Sequence, residues 1–281
     1  MTVPPETHFK GWAKPGPIPP GLVNGLTVEP HETLDAISGH FRLFQLRDGH
    51  RFSTDDILTA WYASTWCPTA TRVLDLGSGL GTVGMICAWR LPAAHFVTIE
   101  AQPESVALAK KSLIYNGLQD RYETHLGDFR TFRPETPGDF QLITGSPPYF
   151  PPEAGVPGDH PQKIACRFEL RGTIADYCTA AARHLAVGGL FACVFPYEPA
   201  QLARVQTAAR DAGLVIVRQR PVIFREGDAP LIGLFAMVRA TDLPDWFRSK
   251  TWTEPPLTIR TKTGKIHDEY SAVKLAIGFP P

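Results

Sequence analysis

Net charge is the first thing this chain lacks. Its 28 lysines and arginines are balanced by 28 aspartates and glutamates over 281 residues. Coating a polyanion by overall charge is therefore excluded, although a local basic patch is not. Cysteine is sparse and unpatterned. The five residues (Cys67, Cys87, Cys166, Cys178 and Cys193) form no Cys-x-x-Cys pair. The odd count and the missing spacing argue against a disulfide framework or a zinc site, and for free thiols in a reducing compartment. Nine histidines include no metal-binding helical motif, so no metal is expected. No apolar run approaches the ~18–20 residues of a membrane helix. No basic-then-apolar segment opens the chain, and a cytoplasmic protein is expected. Internal repeats are absent.

Proline is abundant. There are 27, about double the usual ~5% usage. Pro4, Pro5, Pro15, Pro17, Pro19, Pro20 and Pro30 forbid a long helix over residues 1–38, which read as an extended arm. Hydrophobic residues make up 43%, ample for a full core. The length suits one large domain or one and a half. Residues 39–240 read as the main domain and 241–281 as a hairpin and helix packed on it.

The main domain is organised around Val73-Leu74-Asp75-Leu76-Gly77-Ser78-Gly79-Leu80-Gly81. An apolar strand ends in an acid, three glycines follow at alternate positions, and a helix starts at Thr82. Strand, glycine turn and helix open a doubly wound α/β sheet that binds nucleotides. The dinucleotide pattern is Gly-x-Gly-x-x-Gly, which seats a pyrophosphate on the helix N-terminus. Here the pattern is Asp-x-Gly-x-Gly-x-Gly. An acid before the loop repels a pyrophosphate and suits a cation. S-adenosylmethionine (SAM), with its ammonium and sulfonium, fits that requirement. Asp75, Gly77, Ser78, Gly79 and Gly81 are the candidate loop residues.

The chain continues in the same rhythm. The strand Ala94–Ile99 ends at Glu100, about 20 residues past the loop, where a ribose diol is gripped. A helix over 103–117 leads to the strand Tyr122–Leu126 and then Gly127-Asp128-Phe129. Asp128 can accept from an adenine amine and Phe129 can cover the ring. Upstream, Phe41–Gln45 alternates as a strand does, and Ser53-Thr54-Asp55-Asp56 offers a helix N-cap. That turn either caps only, or also places Thr54 and Asp55 over the amino-acid end of SAM.

The strand Asp139–Thr144 runs into Gly145-Ser146-Pro147-Pro148-Tyr149-Phe150. Two prolines fix the backbone and remove two N–H donors. The carbonyls of Ser146 and Pro147 are then free to face a ligand, and Tyr149 is placed to stack on a planar group. An amine on an aromatic ring is a poor nucleophile because its lone pair is delocalised. Two acceptors at its N–H groups favour the pyramidal form that aims the lone pair at a methyl. No strong base is required, and position and electrostatics carry the rate.

Beyond this motif, helices are expected at Thr173–His184 and Ala200–Gly213, with Ala186-Val187-Gly188-Gly189 as the stop of the first. Strands are expected at Gly189–Pro196, Leu214–Arg218 and Leu231–Val238, and Arg220 and Arg225 lie between the last two. Lys163, Arg167, Arg171, Arg218, Arg220 and Arg225 either make a phosphate-facing patch or are ordinary solvated charges.

The order of glycine loop, Glu100, Gly127-Asp128-Phe129 and Ser-Pro-Pro-Tyr resembles the class I SAM-dependent methyltransferases. Among these it is similar to the amino-methylating ones with an (Asn/Asp/Ser)-Pro-Pro-(Tyr/Phe) motif. The segments Phe41–Gln45, Ser53–Trp61, Arg167-Phe168-Glu169-Leu170 and the ending around Gly264 and Glu269-Tyr270 look like the tRNA adenine-N(6) methyltransferases acting beside the anticodon of valine tRNA. The resemblance implies a seven-stranded Rossmann-like sheet and SAM as cofactor. It implies Ser146, Pro147, Pro148 and Tyr149 around the target amine, and RNA, specifically tRNA, as substrate. It departs at Ser146, where that tRNA family normally has Asn. A protein glutamine amide or a small-molecule amine is the second reading. A non-catalytic SAM- or RNA-binding module is the third.

Overall fold

The glycine strand becomes β1 (Arg72–Leu76) of one central sheet in a computed structural model that describes residues 7–134, 139–150, 160–162, 164 and 168–281. Six more strands follow in chain order: β2 (His95–Glu100), β3 (Tyr122–Leu126), β4 (Phe140–Gly145), β5 (Leu185–Pro196), β6 (Leu214–Arg225) and β7 (Ile232–Arg239). Their order across the sheet is β3-β2-β1-β4-β5-β7-β6. All pair in parallel except β7, which is antiparallel to both neighbours. The chain reverses its direction of travel across the sheet between β1 and β4. A crevice opens at that point beyond the carboxyl ends of the strands, which is where open α/β sheets bind ligands.

Helices cover both faces because successive side chains of a buried strand point to opposite sides. Val73 and Phe96 pack with Leu58, Ile86 and Leu113. These come from α1 (Thr54–Trp66), α2 (Thr82–Arg90) and α3 (Pro103–Asn116). Leu74 and Ile99 pack on the other face with Cys178, Ala181, Val205 and Ala209, from α4 (Ile174–His184) and α5 (Pro199–Asp211).

Two expectations are corrected along the far edge. Ala186–Gly189 do not stop α4 in a separate loop. They belong to β5 and bulge from it, since Phe140 pairs with Leu185 but Leu142 already pairs with Leu190. Likewise Arg220 and Arg225 do not lie between strands, because β6 runs on through Pro221 to Arg225. Trp252–Thr253 pairs with Arg218–Gln219 of β6, and Leu257–Arg260 pairs further along it from Val222. Pro221 has no N–H to give and falls in the gap between these two pairings, where the ladder is interrupted anyway. Arg260 then turns back to Ile266, and α6 (Asp268–Ala276) follows. At the other end of the chain, Glu32–Ala36 pairs antiparallel with Arg42–Leu46. This hairpin is fastened to α3, where Ser112 Oγ accepts from Phe44 N–H at 2.9 Å and Asn116 bonds both backbone groups of Arg42.

Candidate active site

A cavity of about 680 Å³ occupies the crevice between β1 and β4. Asp75, Gly77, Ser78, Gly79, Glu100, Asp128, Phe129, Ser146, Pro147, Pro148, Tyr149 and Asp55 all line it. Two sequence candidates stand apart. Gly81 is the N-cap of α2, with a left-handed φ of 83°. Thr54 turns to Tyr270 of α6 and bonds its phenol.

The loop is built around Tyr177 of α4. Gly77 has φ +59°, and a Cβ there would lie 2.3 Å from the Tyr177 hydroxyl oxygen. A Cβ on Gly145, at the end of β4, would lie 2.7 Å from the same ring. The two glycines let one aromatic ring fill the crotch between β1 and β4. Phe129 packs on that ring at 4.4 Å between centroids.

Glu100 ties the loop to β2. Its Oε2 accepts from Gly79 N–H at 2.9 Å, and its Oε1 from Gln102 N–H at 2.7 Å. Each oxygen keeps a second lone pair for a diol. Asp128 is held differently. Arg130 grips both its oxygens, at 3.0 and 2.9 Å from Nε, and keeps the carboxyl below the usual range. It remains ionised and acceptor-only.

The opposite wall is acidic and short of cations. Ser53 caps α1: its Oγ accepts from Asp55 N–H at 3.2 Å, and Asp56 accepts from Ser53 N–H at 2.9 Å. The capping box fixes both aspartates at the cavity. Burial and the Asp56 charge push Asp55 up to about 6, against a bond donated by the Tyr149 hydroxyl at 3.1 Å. Burial also pushes Asp56 up to about 6. Asp75 is 1% exposed, and burial pushes it up to about 7 although Thr144 donates to its Oδ1 at 2.7 Å. The Gly84 N–H also favours its charged form, without reversing the rise.

Comparison with known proteins agrees with this architecture. The methyltransferase small domain family matches residues 53–156. A tRNA1(Val) (adenine(37)-N6)-methyltransferase of Bacteroides thetaiotaomicron is 32% identical over 181 residues, 64% of this chain and 73% of its own. The protein of the same name from Histophilus somni is 25% identical over 68% of this chain and 77% of its own. The chain belongs to the class I SAM-dependent methyltransferases. A solved structure described as a predicted O-methyltransferase, from Agrobacterium tumefaciens, shares the fold at 18% identity. It has a TM-score of 0.60 over 80% of this chain and 98% of that one.

SAM suits the cavity of this methyltransferase on physical grounds. Three acids with raised pKa crowd one wall, and no lysine or arginine offsets them among the described residues. The Asp75 carboxylate is answered only by the Thr144 hydroxyl and the Gly84 N–H, neither of them charged. A ligand carrying positive charge relieves both defects. No group of residues able to hold a metal is found among those described, and no helix among them is long and apolar enough to cross a membrane.

The four described residues among the six basic candidates do not form one patch. Arg171 lines the cavity and is exposed. Arg225 is exposed at the end of β6. Arg218 and Arg220 instead pair with Glu254 and stack over Trp66 and Trp61. Lys163 and Arg167 lie outside the described residues. Arg47 and Arg51, which the sequence did not single out, also stand on the cavity lining and are exposed. Tyr177 was missed as well. An aromatic on a helix reads as core, and only the paired glycines at 77 and 145 hint that one must fit between them.

Proposed function

We propose that this methyltransferase methylates the exocyclic amine of an adenine in RNA, with tRNA as the leading substrate. The observation that carries the reading is that Ser146-Pro147-Pro148-Tyr149 and the glycine loop line one cavity. The relatives named as tRNA1(Val) (adenine(37)-N6)-methyltransferases support the choice of adenine and of tRNA. Two exposed arginines on the lining, Arg47 and Arg171, favour a polyanion over a protein amide or a small amine, whereas Arg51 beside them is paired with Asp35 at 2.8 Å.

When bound, SAM supplies an electrophilic methyl on a sulfonium, an excellent leaving group. Asp75, Asp55 and Asp56 hold its cationic end, Glu100 its ribose, and Asp128 with Phe129 its adenine. The Ser146 hydroxyl and the Pro147 carbonyl accept the two hydrogens of the target amine and direct its lone pair. Tyr149 stacks on the extruded base, and its bond to Asp55 fixes the ring for that task. The amine loses a proton to solvent after it has gained the methyl.

The test is transfer of labelled methyl from SAM to separate pools of unmodified tRNA, ribosomal RNA, DNA and protein, followed by digestion to nucleosides or amino acids. Label recovered from tRNA as N(6)-methyladenosine is expected. Label confined to protein, or to no pool while SAM binds, overturns the reading.

A further inference from the structure

Large aromatic side chains near the cavity are mostly covered: Phe129 is 5% exposed and Phe168 6%. Phe150 departs from that pattern. It lines the cavity yet is 44% exposed. Its ring is nonetheless backed on two sides, by Tyr149 at 5.2 Å and by Phe168 at 6.2 Å between centroids. Its backbone is pinned too. The Phe150 carbonyl accepts from Glu169 N–H at 2.9 Å. Arg204 of α5 holds the Glu169 carboxylate and also lies over Phe195, at 5.6 Å from its centroid. Phe195 in turn meets Tyr149 edge-on at 6.2 Å. An exposed aromatic held this firmly is a platform, because little rotamer freedom is lost when something stacks on it.

We propose that Phe150 is a stacking subsite for the nucleobase adjacent to the methylated adenine. The inference rests on the RNA reading above and deepens it. Two observations select a nucleobase. The Tyr149 and Phe150 planes are inclined at 51°. Neighbouring bases in an intact strand are parallel, so these platforms cannot hold a stacked pair, but they suit two bases splayed apart. Splaying is what base extrusion requires, and it leaves the neighbour with an uncovered face. Arg171, exposed on the same lining, supplies a cation for the phosphate that joins the two nucleotides. Stacking on an aromatic ring tolerates any base, so the subsite adds affinity without reading sequence.

The experiment uses the full chain and an anticodon-arm RNA stem-loop with a loop adenine. Two further stem-loops lack the base on the 5′ or the 3′ side of that adenine. Phe150→Ala is expected to raise the KM for the intact stem-loop roughly ten-fold, with the SAM Kd unchanged. Phe150→Trp is expected to behave as wild type, which separates lost stacking from lost folding. One of the two abasic stem-loops is expected to raise the wild-type KM by a similar factor and to leave that of Phe150→Ala unaltered. Methylation that is indifferent to Phe150, or an abasic penalty equal in both proteins, overturns the subsite and leaves the RNA reading standing. A wild type that neither binds nor methylates the stem-loops, or any RNA pool, overturns both.

Discussion

Helix α1 meets buried acid at each end, and the two settings have opposite chemistry. At its start, Asp55 and Asp56 share one wall of the cavity with Asp75, and their pKa values rise because burial is not offset by any cation among the described residues. Near its finish, the Tyr62 hydroxyl donates to Glu254 at 2.7 Å. Arg218 and Arg220 reach the same carboxylate at 3.5 and 3.9 Å. Glu254 is buried too, at 9% exposure, but its charge is answered within the fold. The comparison separates two uses of a buried acid. An acid whose charge the protein itself satisfies belongs to stability. An acid left in deficit implies a ligand that completes it, and its cost is tolerated because function recovers it.

The largest expected effect is at the satisfied end. Glu254→Ala leaves two half-buried guanidinium groups and the Tyr62 phenol without their shared acceptor. Breaking such a network costs roughly 2–4 kcal/mol, at or below the usual figure for a buried pair because both arginines are partly solvated. The midpoint of denaturant unfolding should fall accordingly, while the SAM Kd stays at its wild-type value. A lowered SAM affinity with unchanged stability would reverse the assignment of this cluster.

Asp75→Asn should do the opposite. An amide oxygen can still accept from Thr144 while its NH2 loses the Gly84 N–H, so stability of the free protein is expected to change little as the lost bond offsets the buried charge that disappears. SAM affinity should drop by about ten- to a hundred-fold, the scale of ~1.5–3 kcal/mol for a hydrogen bond to a charged group. Calorimetric titration measures the affinity and thermal unfolding the stability. If both fall together, Asp75 is a structural acid and the contrast between the two ends collapses.

The deficit end was more legible in the sequence than the satisfied end, and the reason is separation along the chain. Asp75 and the glycines sit in one short stretch, Glu100 closes a strand and Asp128 and Ser146 follow strands, all three ending on the same side of the sheet. Local pattern and the rule that parallel strands share a ligand-binding end suffice to bring them together. The Tyr62–Glu254 bond spans 192 residues and no local pattern announces it. Arg218 and Arg220 illustrate the consequence. Read along the chain they resemble a basic patch, but β6 extends past Pro221 and aims them at Trp66, Trp61 and Glu254. The doubly wound α/β class was legible from the alternation of strands and helices, and the seven strands followed from the family resemblance. The edge added to β6 was only partly so: Leu257–Arg260 reads as a hairpin strand but not as a parallel partner of β6, and Trp252–Thr253, two residues long, carries almost no periodic signal. Thr54 shows the same limit at close range. It adjoins Asp55 in sequence, yet the helical turn sends it to Tyr270 and away from the cavity.

A smaller effect is expected at Ser146, on catalysis rather than on binding. Ser146→Ala removes one acceptor for the target amine and leaves the Pro147 carbonyl. The kcat for the RNA substrate should fall about ten-fold, the scale of one hydrogen bond of ~1.4 kcal/mol, with the SAM Kd unaltered. Ser146→Asn restores an acceptor and should recover at least the wild-type rate. Equal kcat in all three proteins would place the amine elsewhere in the cavity.

The mildest test varies only pH and leaves the sequence intact. Asp55 and Asp56 are raised to about 6 and Asp75 to about 7, above the ordinary aspartate value of 3.8. Between pH 4 and 7 the folded protein therefore holds more protons than the unfolded chain at these groups. Their contribution to stability rises as pH falls from 7.5 towards 5, and it is withdrawn as pH climbs through the folded pKa values. A cationic ligand favours the ionised acids, so it binds tightest where the free protein is least content. The SAM Kd should weaken several-fold on going from pH 8 to pH 5.5, with protons released on binding near pH 6. S-adenosylhomocysteine keeps the ammonium but lacks the sulfonium, so its Kd should shift less over the same range. Glu254 provides the internal control, since Glu254→Gln should leave the pH dependence of SAM binding unchanged. A SAM affinity that is flat from pH 5.5 to 8 would mean that the cation does not meet these three acids. The deficit at the start of α1 would then have to be completed by something other than SAM.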